Sequence, residues 1–200
     1  MNNKLRIHFA SVLVVFLVLL VGNIISTSFN QQILIYVSSF GFLAFLLVIF
    51  VLSIPLFVRL KKNNFTTSLL VNRRLIGVYT FFFALIHVFL VFNFIFSWDI
   101  NKLIESPNRL FLVLGIISFF ILFFLAVTSN NKSLRMLGKN WKKLHYLVYV
   151  VLILIIIHSF NVGLIFMKST VIKTVILLLV ILIVIGKIRY YELVKVNKIF

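Results

Sequence analysis

Long apolar stretches broken by short polar clusters run the length of the chain. Six of them, near 8–25, 33–57, 75–96, 110–128, 144–163 and 171–186, come close to the roughly 20 residues that an α-helix needs to cross a bilayer core. The pattern predicts an all-α polytopic membrane protein, a six-transmembrane-helix bundle over 1–200. Its connections are too short to hold a soluble domain, so any chemistry must take place inside the bundle or at its rim. The first stretch follows a basic start, as a secretory signal does. Its apolar run is longer, however, and no A-x-A-like site follows, so an uncleaved first span is expected.

Composition agrees: of 200 residues 63% are apolar, and the mean hydropathy is +1.21. In a soluble domain the net charge of +17 would suggest a nucleic-acid partner. Here the placement of the charges argues for topology instead. Of the 20 Lys and Arg, 16 lie before the first span, in 58–74, in 129–143 and after the last span. Because positively charged loops stay in the cytoplasm, both termini and the two basic loops are expected there. The basic tail from Lys187 is expected on the cytoplasmic membrane surface, with anionic lipid as a secondary attraction. The absence of cysteine excludes disulfides, iron–sulfur clusters, thiolate metal sites and thiol catalysis.

Small residues Ser38, Ser39 and Gly41 on the second span read as packing positions. Pro55 is expected to kink or end that helix, and Asn63, Asn64, Thr66 and Thr67 to cap or turn the loop after it. The fourth span has no charge, and its Phe111, Phe119, Phe120, Phe123 and Phe124 could face lipid, other helices or a flat cofactor. Lys173 on the last span is expected to snorkel outward. Asp99 and Glu105, on the loop 97–109, read as solvated charges.

Four histidines carry the chemical question. An ionisable side chain in mid-membrane is costly and points to function. His87 lies about twelve residues into the third span, roughly 18 Å at 1.5 Å per residue. His158 lies about fourteen residues into the fifth, roughly 21 Å. If both helices start at the cytoplasmic face, the two imidazoles sit at one depth, suited to axial ligation of a haem iron from either side of the macrocycle. A hydrogen bond to a neighbouring helix is the alternative for each ring taken alone. His145 lies thirteen residues before His158, at the cytoplasmic edge, and is turned from it by about 220°, so the two do not share a stripe. His8 reads as an interfacial residue. No nucleotide-binding, metalloprotease or Ser-His-Asp motif is present, so electrons would need an outside donor.

The segments RRLIGVYTFFFALIHVFLVF, SPNRLFLVLG and LAVTSNNKSLRMLGKNWKKLHYLVYVVLILIIIH make the chain resemble the ferric-reductase-like transmembrane domain. Within that family it is most similar to the haem-binding membrane subunits of bacterial periplasmic methionine sulfoxide reductase systems. The resemblance covers about 73–163. It implies haem b in the cytoplasmic (inner) membrane of a bacterium, and it allows FMN at the inner face. The implied partners are a quinone or cytoplasmic flavin reductase as donor and a periplasmic molybdopterin-containing reductase as acceptor. Carried over to this sequence, the candidate ligands are His87, His158 and His145. The chain departs from two-haem members of the family at Arg73, fourteen residues before His87, where those carry a second histidine. His8 is then a conceivable partner for His145. A second departure is Asn108-Arg109 after Pro107, where relatives often have an aromatic residue. Rival functions are a stand-alone haem ferric or metal reductase and a haem-free transporter or channel with histidines along a proton path.

Overall fold

A computed structural model describes residues 3–196, with side chains described up to residue 189. In chain order the helices are α1 (Asn3–Ile25), α2 (Phe29–Leu60), α3 (Asn64–Val71), α4 (Arg73–Leu90), α5 (Ile100–Ile104), α6 (Arg109–Val127), α7 (Asn131–Leu137), α8 (Lys139–His145), α9 (Leu147–Val162) and α10 (Thr170–Val196). α4 runs on into a π-helical turn, Val91–Ile95. The described residues contain no strand. Six helical segments are long and apolar enough to cross a membrane, and they coincide with the six predicted stretches: Asn3–Ile25, Phe29–Leu60, Arg73–Ile95, Arg109–Val127, Lys139–Val162 and Thr170–Arg189.

α2 is the central strut. It supplies Phe40, Ala44, Phe45, Val48, Ile49 and Leu52 to the core, where they meet Phe83 and Ala84 of α4, Leu122 of α6, Val151 and Leu152 of α9, and Ile176 and Ile183 of α10. Two pairs pack most extensively, α2 with α4 and α6 with α9. α1 lies at the periphery, with large apolar side chains such as Phe9, Phe16 and Ile24 exposed, as a lipid-facing helix requires.

Of the residues expected to cap or turn the loop after α2, Asn63 and Thr66 form a cap, while Asn64 and Thr67 lie within α3. Asn63 accepts from the Thr66 N–H at 2.8 Å while Thr66 Oγ1 accepts from the Asn63 N–H at 3.1 Å, a reciprocal cap for α3. Gly138, at φ +50°, joins α7 to α8.

Three expectations are refined. Of the two outcomes expected at Pro55, ending is excluded, because α2 continues to Leu60. Proline leaves the Val51 carbonyl without its helical donor, and Arg73 Nε fills the vacancy at 3.0 Å. Lys173 takes a protein partner at its end of the bundle. Its ammonium donates to the Phe160 carbonyl at 2.9 Å, in the last turn of α9, where carbonyls lack helical partners. The fifth span is not one regular helix. The Tyr146 N–H is shared between the carbonyls of Lys142 and Lys143, and the Tyr149 N–H bonds to Tyr146, a tight turn that separates α8 from α9. Of the basic tail, α10 continues unbroken through Val196, and residues 197–200 lie outside the described residues.

Candidate haem-binding site

His87 and His158 line one cavity of about 330 Å³ between α2, α4, α6 and α9, and His158 is an electrostatic neighbour of His87. The walls are mainly apolar, with Phe45, Phe92 and Phe119 among them. The cavity extends toward the 97–108 connection, where Leu103, Ser106 and Asn108 reach it, and toward Gly163–Met167 beyond α9. The π-helical turn begins four residues after His87, and its Val91, Phe92 and Ile95 also line the space. Such turns inside α-helices recur at functional sites.

The two rings are held in the same way. His87 Nδ1 lies 2.8 Å from the Val37 carbonyl of α2, and His158 Nδ1 lies 2.8 Å from the Phe111 carbonyl of α6. A carbonyl can only accept, so each Nδ1 carries the proton. In a neutral imidazole the lone pair then belongs to Nε2, the nitrogen a metal would take. Second-partner hydrogen bonds of this kind fix both tautomer and ring orientation in histidine metal sites.

Glycine makes this close approach possible. Gly41 stands one helical turn after Val37, and Gly115 one turn after Phe111. A Cβ at Gly41 would come within 2.8 Å of His87 Nδ1, and one at Gly115 within 2.7 Å of His158 Nδ1 and Cε1. Each ring therefore seats its Nδ1 edge on a bare backbone turn and turns the opposite edge, with Nε2, away from that helix. Sequence reasoning placed Gly41 among packing residues and passed over Gly115. The available signal was a lone glycine in each of two apolar helices antiparallel to a histidine helix.

The other histidines lie elsewhere. His145 closes α8 at the end of the bundle that carries the basic loops, called here the basic end. Its Nε2 is 3.3 Å from Thr128 Oγ1, and its ring stacks on Trp141 at 3.9 Å between centroids. It does not line the cavity. His8 is exposed and bonds through Nδ1 to the Tyr79 hydroxyl at 2.5 Å. Among the phenylalanines of α6, Phe119 lines the cavity, whereas Phe120, Phe123 and Phe124 are exposed and suited to lipid. Groups of three or more His, Asp or Glu able to hold a bare metal ion are absent among the described residues. A haem iron needs only one or two protein ligands, because the macrocycle supplies the others.

No solved structure matches the chain. The family described as ferric reductase like transmembrane component matches residues 39–156, more than half of the chain and a stretch that contains Gly41, His87, Gly115 and His145. With its six apolar helices and this match, the chain is a multi-pass membrane protein that belongs to the ferric reductase like transmembrane component family.

Proposed function

We propose that the chain is the b-type haem subunit of a membrane electron-transfer system, in which His87 and His158 are the residues that would hold the iron. The observation that carries this reading is the mirrored pair of Nδ1–carbonyl bonds, which leaves two Nε2 lone pairs for one apolar cavity. When bound, haem b supplies a one-electron carrier. The protein's part is to fix both imidazoles before the cofactor arrives, to exclude water with Phe45, Phe92 and Phe119, and to set the depth of the site.

If the basic end faces the cytoplasm, the cavity lies toward the opposite face, with the 97–108 connection next to the acceptor. Donors on the cytoplasmic side, quinol or a flavin reductase, would then approach near Trp141 and His145, and FMN would bind there if it is used. The acceptor we favour is a periplasmic molybdopterin-containing methionine sulfoxide reductase. This choice rests on the resemblance of 73–163. Purified protein should show a Soret band and a reduced b-type spectrum, both strongly diminished in His87→Ala and His158→Ala. Full haem content and an unchanged reduced spectrum in those variants would refute the ligand assignment. Direct reduction of external ferric chelates is the second reading, favoured by the family and by the cavity's reach toward the 97–108 connection. Chelate reduction by the purified chain, without an added acceptor protein, separates the two.

A further inference from the structure

The connection between α4 and α6 meets the protein mainly at the cavity it covers. From residue 97 to residue 110 every residue is exposed except Leu103 and Ser106. Both of these line the cavity, as does Asn108. Trp98, Ile100 and Ile104 stand exposed on the same segment. The segment is therefore a strap with no core of its own, and its one half-buried apolar side chain, Leu103, sits in the cavity wall. Its downstream end is stiff, because Pro107 fixes its own φ and restricts Ser106 before it.

The upstream end is strained. Among the described residues, Ser97 and Trp98 are the only non-glycine positions with positive φ, at +54° and +58°. An L side chain crowds its own backbone there, and for a residue as bulky as tryptophan the region is an outlier. Such conformations persist only where surrounding contacts enforce them, and they gather at clamps and switches. Here the Trp98 N–H reaches back six residues to the Phe92 carbonyl at 2.9 Å, and its ring packs on Phe92 at 5.7 Å between centroids. The indole N–H donates to Asn93 Oδ1 at 3.3 Å, and Lys102 Nζ of α5 donates to Ser97 Oγ at 3.5 Å. Phe92 and Asn93 belong to the π-helical turn, and Phe92 is itself a cavity wall. Wall, strained turn and strap are thus joined: whatever displaces Phe92 or Leu103 also loosens the contacts that hold Ser97 and Trp98 in place.

We propose that the 97–108 connection is a hinged lid over the cavity, with Ser97 and Trp98 as the hinge and Leu103 as the latch. Rotation at the strained pair relieves their crowding and lifts Leu103 from the wall, which opens the cavity at the end away from the basic loops. The lid controls access whatever the cavity holds. Its test uses the cysteine-free chain with one reporter thiol, Ser118→Cys, at a cavity-lining residue only 2% exposed. The rate of reaction with a water-soluble methanethiosulfonate then reads how often the cavity opens. Thr80→Cys, equally buried but outside the cavity, reads general loosening. Leu103→Ala is expected to speed labelling at position 118 at least several-fold while leaving position 80 unchanged. Ser97→Gly, which removes the crowding in the seated form, is expected to slow it. An unchanged rate in Leu103→Ala, equal acceleration at both reporters, or faster labelling in Ser97→Gly would overturn the lid. So would a Ser118→Cys thiol that reacts as fast as Ile104→Cys, which lies in the open. Haem content is counted separately by pyridine haemochrome. Its absence would refute the haem reading and leave the labelling comparison intact.

Discussion

A missing Cβ governs the site at the scale of single residues. Gly41→Ala or Gly115→Ala would set a methyl group about 2.7–2.8 Å from an imidazole nitrogen, closer than real side chains pack, so ring or helix must move. Overpacking of this kind costs about 1–3 kcal/mol. Each variant is expected to melt at lower temperature in detergent and, where haem is retained, to shift the reduction potential, since the Nδ1–carbonyl bond tunes the ligand. An unchanged potential in both variants would show that the glycines do not position the rings. The histidines themselves were legible in the sequence, because an ionisable residue deep in an apolar run stands out. The carbonyls of Val37 and Phe111 were not. A backbone acceptor has no side-chain signature, and only the packing of two helices reveals which turn it faces.

The Pro55–Arg73 pair makes the corresponding argument for elements. A proline inside α2 frees the Val51 carbonyl, and an arginine from α4 restores the lost bond. Arg73→Met should therefore destabilise the protein by about 1–3 kcal/mol, the usual cost of an unsatisfied buried polar group. Pro55→Ala returns an N–H to position 55, so the double variant should regain most of that loss in a thermal-unfolding cycle. Additive losses would mean that the carbonyl is not the point of coupling. Helix existence and approximate limits followed from hydropathy alone. What escaped was interruption and continuation, the tight turn at Tyr146 and the passage of α2 through Pro55, because both are decided by which neighbour is present to take an orphaned hydrogen bond.

Over the whole molecule, the charge distribution predicts that the basic end faces the cytoplasm. The chain has no cysteine, so single-cysteine labelling has no background. Ile104→Cys and Asn64→Cys sit on exposed residues at opposite ends of the bundle. In sealed right-side-out vesicles a membrane-impermeant maleimide should label the first and spare the second, and the reverse pattern would invert the topology. The six spans could be read from sequence, whereas the grouping of helices into pairs is a matter of tertiary contact. That grouping has an assembly consequence. On the proposed haem reading, one half of the ligand set lies within α2 and α4, and the other within α6 and α9. A cofactor bound between them would act as a rivet joining two helix pairs, and removing it should lower the melting temperature by mass action alone. A chain cut in the 97–108 connection should then give two pieces, each keeping its own histidine seat, whose reunion depends on the supply of haem.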